Sequence, residues 1–301
     1  MMVLLARTAR RAALALSIVL LIAGTAVTAQ PVQVQDARGI QVRLARPAQH
    51  IITLAPNLTE LAFAAGAGDR LAGVARYSDF PPAARRLPVV SDAVQFDLER
   101  ILELRADLVL AWQGGTPPDT IARIERAGLP VFVAGATGLD DIARNITAIA
   151  QIAGTTAAGA AARAAFDAEL RALRSRRVEG APVRVFYEIW DRPLMTVNRT
   201  HLISEIIMLC GGSNVFGDLR ALTPEVTREA LLAARPEVVL GGSSADTPAT
   251  FAARWAALPP PFNAWPARHL PADLVQRPTP RILEGARRIC AQLDDIRAAR
   301  R

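Results

Sequence analysis

Leu98-Glu99-Arg100-Ile101-Leu102-Glu103-Leu104-Arg105-Ala106-Asp107-Leu108-Val109-Leu110 returns 130 residues later as Arg228-Glu229-Ala230-Leu231-Leu232-Ala233-Ala234-Arg235-Pro236-Glu237-Val238-Val239-Leu240. Glu, Leu, Arg, an acid, Val and Leu coincide without a gap, and Gly-Gly follows each copy, at Gly114-Gly115 and Gly241-Gly242. Each copy reads as a helix running into a short apolar strand, over 98–104 and 108–112 in the first and 229–234 and 238–240 in the second. A second echo lies upstream: Thr59-Glu60-Leu61 leading to Gly66 matches Ser204-Glu205-Ile206 leading to Gly211 at equal spacing. Duplication of an α/β unit accounts for both matches.

Working outward, the same alternation fills each half. A hairpin over 32–44 turns at Ala37-Arg38-Gly39; strands follow at 51–54, 70–74 and 131–134, with helices at 58–65 and 120–127. After Gly180-Ala181-Pro182 the pattern resumes with a strand at 183–189, a helix at 201–210 and a last helix at 279–299. Such order predicts βα units around mostly parallel sheets. An Ala-rich helical stretch at 156–176 separates the halves and spans about 30 Å, enough to cross between them. The expected fold is α/β: two similar βα lobes, 30–155 and 179–301, joined by one long α-helix over 156–178.

Residues 1–29 read as an export signal, with Arg7, Arg10 and Arg11 ahead of an apolar run at 12–23 and Val27-Thr28-Ala29 as the cleavage site. The apolar run is too short for a membrane span. No Cys follows the site, which argues against a lipid anchor. Removing the three arginines lowers the formal charge from +7 to +4. Lysine is absent, and the arginines are interspersed with 28 acids, so no basic stripe marks a nucleic-acid surface. The only cysteines are Cys210 and Cys290; export permits a disulfide, and two separate buried thiols are the alternative.

Catalytic constellations are missing. No Gly-x-Ser-x-Gly elbow or His-Glu-x-x-His occurs, and a phosphate-binding loop of the Walker type lacks its lysine. His50, His201 and His269 are far apart in sequence without ligand-pair spacing, which fits surface or capping roles better than a metal site. Aromatic residues are scarce, and Tyr77 and Trp190 follow predicted strands while Trp112 ends one. Loops at strand ends converge on the cleft of a two-lobed receptor. The shared position assigns these rings to a cleft suited to a bulky, flat ligand, although each taken alone fits its own lobe's core equally well.

The segments Ile52-Thr53-Leu54-Ala55-Pro56-Asn57-Leu58-Thr59-Glu60-Leu61, Tyr77-Ser78-Asp79-Phe80-Pro81-Pro82, Leu98-Glu99-Arg100-Ile101 and Ala111-Trp112-Gln113-Gly114-Gly115 resemble the vitamin B12-binding periplasmic proteins of ABC importers. Cys210-Gly211-Gly212, Val226-Thr227-Arg228-Glu229 and Pro280-Arg281-Ile282 extend the likeness through the second half, from about His50 to Arg297. These proteins belong to a wider group of siderophore, haem and cobalamin receptors with a helical backbone (class III binding proteins). The resemblance implies a periplasmic, monomeric receptor that captures cobalamin or a related corrinoid as cargo, with no resident cofactor and no catalysis, and delivers it to a dimeric permease. It implies ligand contacts from Tyr77, Trp112, Met195, Asp273 and Arg277, and a Cys210–Cys290 disulfide. An i, i+4 ion pair is the alternative for Asp273 and Arg277. The chain departs from the pattern at Ala93 and near Leu222, where large aromatics are expected; Phe96 and Trp190 are the neighbouring rings that make up part of the lost surface.

Glu99 and Glu229, one per half, coincide with the family's docking residues. Each is expected to meet arginines on one subunit of the permease. Helix chemistry is the competing account, since Asp97 and Thr227 sit as N-caps just ahead of a glutamate in each first turn; both hold together. A haem or ferric-siderophore receptor, a metal-ion receptor and a secreted α/β enzyme are the alternative functions, in that order.

Overall fold

The computed structural model describes residues 31–92 and 95–300; the export signal and Ala93 lie outside them. A hairpin opens the chain, β1 (Val32–Gln35) antiparallel to β2 (Gln41–Leu44). Then five strands form one sheet: β3 (Ile51–Thr53), β4 (Leu71–Ala75), β5 (Val89–Ser91), β6 (Leu108–Trp112) and β7 (Val131–Ala134), in spatial order β5-β4-β3-β6-β7 and all parallel. Strands β6 and β7 are apolar because helices cover both faces: α1 (Pro56–Ala64), α2 (Leu98–Glu103), α3 (Pro118–Arg126) and α4 (Leu139–Ala153).

The linking helix α5 runs Thr156–Arg174, four residues shorter than expected. It packs along α4 and touches both α1 and the final helix. The second sheet contains β8 (Val183–Glu188), β11 (Gly212–Asn214), β12 (Val238–Gly241) and β13 (Ala267–His269) in order β11-β8-β12-β13, again parallel. A two-residue hairpin, β9 (Trp190–Asp191) against β10 (Leu194–Met195), follows β8. Its helices are α6 (Leu202–Leu209), α7 (Arg228–Ala234), α8 (Pro248–Ala256), α9 (Ala272–Val275) and α10 (Ile282–Ala299).

The duplicated segments become the same structure twice. Asp97 accepts from Arg100 N–H at the start of α2, and Thr227 from Ala230 N–H at the start of α7, as the N-cap reading requires. Arg105 and Arg235 both leave their helices with positive φ, 52° and 44°. Asp107 accepts from the backbone N–H of Gln49 and His50 ahead of β3, and Glu237 from that of Arg184 in β8. The matched acid therefore pins the central strand of its own sheet in both copies. The upstream echo behaves likewise: Gly66 and Gly211 end α1 and α6 at φ 76° and 74°, a left-handed exit that glycine makes without steric cost.

One apolar core runs through both halves and the linking helix, including Ile51, Leu110, Ile146, Leu170, Val185, Ile206 and Leu293. The disulfide Cys210–Cys290 forms between the end of α6 and α10. Two carboxylates cross the seam, one buried and one partly exposed. Glu60, on α1, has a side chain only 2% exposed and accepts from Arg277 (2.9 Å), Thr279 (2.9 Å) and Arg281 (3.4 Å) of the second half. Glu205, its counterpart on α6, accepts from Leu139 N–H at the start of α4 (2.8 Å) and from Arg174 of the linking helix (3.1 Å). Among the described residues no helix is long and apolar enough to cross a membrane.

Candidate ligand cleft

In a parallel sheet the crevice opens where strand order reverses, beyond the carboxyl ends. In the first sheet that point lies between β3 and β6. A cavity of about 220 Å³ sits there, lined by Ala55, Tyr77, Phe96, Gly115 and Thr116 among others. Gly115 also lines a second cavity of about 530 Å³ between the halves, walled by Trp112, Gln113 and Thr137 on one side and by His201, Leu222 and Gln276 on the other. The carboxyl end of β6 thus joins the two spaces. Apolar walls with a few convergent polar groups make a site for a large organic molecule.

Tyr77 holds φ 66° and leaves 73% of its surface exposed. A left-handed conformation costs a residue with a Cβ about 1–2 kcal/mol, and such strain concentrates at binding walls. The turn is held from across the seam: Arg277 donates to Tyr77 O (3.3 Å) and to Asp79 (2.8 Å), while the Arg281 guanidinium lies 4.1 Å over the Phe80 ring. Phe96 carries the Arg123 guanidinium 4.8 Å from its ring centre.

Among the residues expected at the ligand, Tyr77 and Phe96 share the smaller cavity and Trp112 lines the larger. Trp190 and Met195 face each other across the β9–β10 hairpin, and neither lines either cavity. Asp273 and Arg277 do not form the i, i+4 pair with each other. Asp273 takes Arg281 at 2.6 Å, and Arg277 crosses to Glu60 and Asp79. Burial would lower the Arg277 pKa, but the Asp79 and Glu60 carboxylates outweigh it and raise it above the usual arginine value. Glu99 and Glu229 are exposed in the first turns of α2 and α7. Its own backbone N–H, with the Thr227 hydroxyl, holds the Glu229 carboxyl below its ordinary range.

Sequence reasoning missed the polar side of the cleft. His201 caps α6 by accepting from Ile203 N–H, so the capping role holds, but its ring also lines the larger cavity. Leu222, noted only for lacking an aromatic, stands in that wall half-exposed. The signal for His201 was its place at a helix start after the first strand of its half, where the matched helix α1 also meets a cavity through Pro56. His50 bonds Arg105 O and His269 packs against Phe251, and among the described residues no three metal-ligating side chains converge.

Residues 51–256 match the family model described as periplasmic binding protein. The vitamin B12-binding protein of Vibrio cholerae is 35% identical over 247 residues, 82% of this chain and 90% of its own length. That of Yersinia pestis is also 35% identical, over 84% of this chain and 89% of its own. The crystal structure of the V. cholerae periplasmic vitamin B12-binding protein superposes with TM-score 0.74, covering 83% of this chain and 98% of that one. A periplasmic haem-binding protein solved with two haems superposes at 0.73 with 28% identity, covering 82% and 98%. A matched segment that holds the whole first sheet and three of the four strands of the second, together with a cleft between two parallel-sheet lobes, has one reading: this chain belongs to the periplasmic binding protein family.

Proposed function

We propose that this protein is the periplasmic receptor of an ABC importer and that its cargo is cobalamin or a related corrinoid. The observation that carries this is the pair of joined cavities at the sheet ends, with Tyr77, Phe96 and Trp112 in their walls, in a chain 35% identical to vitamin B12-binding proteins. Arg277 serves the site by holding the Tyr77 turn and Asp273 by holding Arg281, which lies over Phe80, while Trp190 and Met195, outside both cavities, meet a part of the cargo that extends beyond them. The work is binding alone: the corrinoid is cargo, no cofactor resides in the protein, and no bond is made or broken. Export removes residues 1–29 and the receptor circulates as a monomer.

Delivery requires docking. Glu99 and Glu229 stand at matched exposed positions, one per lobe, which suits a dimeric permease presenting the same arginine-rich surface twice. Replacing either by Arg reverses the local charge; import unchanged by both reversals rules the docking role out. For the ligand, the purified mature chain is titrated calorimetrically with cyanocobalamin, haem and a ferric siderophore in parallel. Saturable one-to-one binding of cobalamin at micromolar or better supports the reading, and binding of haem instead transfers it to the haem branch, where the 28% identical relative lies.

A further inference from the structure

We infer that His201 is a fixed hydrogen-bond donor to the cargo, selecting a carbonyl or carboxylate oxygen on the ligand rim and excluding coordination of the ligand's metal by this imidazole. The inference rests on the cargo reading above and adds a specificity residue to it. The tautomer follows from geometry. Ile203 N–H is an unambiguous donor, and it reaches His201 Nδ1 at 3.1 Å at the start of α6. Nδ1 must therefore offer its lone pair, and in a neutral ring the proton then sits on Nε2. Among the described residues Nε2 finds no partner, although Nδ1 is satisfied, and the ring lines the larger cavity opposite Trp112. Burial keeps the ring neutral, lowering its pKa to about 4.

A neutral imidazole with Nε2–H presents no lone pair on the side of the cleft. Ligation of iron or cobalt through Nε2 requires the proton on Nδ1, which would break the cap and leave Ile203 N–H unpaired on a buried residue. A donor in this wall suits a corrinoid, whose ring is fringed with amide carbonyls, more closely than it suits an axial site on a metalloporphyrin. Gln113 and Thr137 across the cavity and Gln276 on the same wall supply further polar groups, so His201 belongs to a set that reads the ligand's rim while Trp112 meets its face.

The test substitutes His201→Ser, which retains an N-cap hydroxyl for α6 but withdraws the donor from the cleft. Cyanocobalamin Kd measured by calorimetry is expected to rise roughly 3- to 10-fold, the range for losing one neutral hydrogen bond. A thermal melt identifies a folding failure, and a direct measurement covers that case: long-range ¹H–¹⁵N spectra of the unmodified protein are expected to show His201 protonated at Nε2 and bare at Nδ1. A proton on Nδ1 overturns the inference. So does a Kd within 2-fold of the parent in a folded His201→Ser protein, or a low-spin ferric haem spectrum that vanishes in that variant. Failure of the unmodified protein to bind cyanocobalamin is a different result: it overturns the corrinoid reading, with the donor assignment still decided by the tautomer.

Discussion

Glu60→Gln removes a buried charge that two arginines and a threonine share across the seam. A naive estimate takes the 3–5 kcal/mol typical of breaking a buried ion pair. The structure reduces it. Arg277 retains Asp79 at 2.8 Å and Arg281 retains Asp273 at 2.6 Å, so neither guanidinium is left alone. Asp79 is 52% exposed at its side chain and contributes correspondingly little. The single glutamine oxygen serves either the buried Thr279 or the two arginines, and its NH2 group faces the other as a second donor, which sets the cost that remains. The expected loss is therefore about 2–3 kcal/mol. Urea denaturation at pH 7 measures it, and because one core runs through both halves a single transition with an unchanged m-value is expected. A cycle with Arg277→Gln isolates the pair, with a coupling of about 1–2 kcal/mol expected. A loss below about 1 kcal/mol, or coupling within about 0.5 kcal/mol of zero, refutes the claim that Glu60 fastens the lobes.

Replacing both Cys210 and Cys290 by Ala opens a link spanning 80 residues; loop closure alone predicts a loss of about 4.5 kcal/mol, read by the same denaturation. The His201 pKa is held at about 4 against 6.5 unfolded, so the unfolded chain binds the extra proton first; stability falls as pH drops from about 6.5 to about 4, by at most about 3 kcal/mol, and levels off below. His269, also lowered by burial, adds to that slope, and His201→Ser removes only its own share in a pH series of melts. Arg235→Gly relieves a left-handed backbone without deleting any hydrogen bond of its own side chain, so thermal melts are expected to show a gain of up to about 1 kcal/mol, whereas Arg235→Val costs at least as much.

The architecture was legible because duplication makes each weak signal testify twice. Leu98–Leu110 and Arg228–Leu240 fixed a helix and a strand in both halves, and all four elements formed. Short elements escaped: β5, β9, β10, β11 and β13 span two or three residues each, too few for a period to register. Helix α4 was also missed, although its pattern is regular, because no comparison with the second half drew attention to it. In the cleft, Tyr77 and Trp112 were legible as scarce aromatics at strand ends, a signal that also picked Trp190 outside both cavities, and Phe96 only as a ring near the aromatic missing at Ala93. His201 was legible as a cap and invisible as a wall, since sequence position tells which nitrogen is used only once the helix start is located. The partners of Arg277 depend on contacts 198 to 217 residues away, which no local spacing encodes.

Glu60 meets the segment between β13 and α10; Glu205 meets the start of α4, just after β7. In each case the carboxylate of one half grips the stretch between the last strand and the last helix of the other. Residue i touching j′ while i′ touches j is the signature of an isologous contact between identical subunits. The molecule therefore carries the interface of a two-fold dimer inside one polypeptide, with α5 as the fusion joint. Cutting the chain in that joint is expected to give two fragments that seek each other out in solution, because each holds the lock to which the other holds the key.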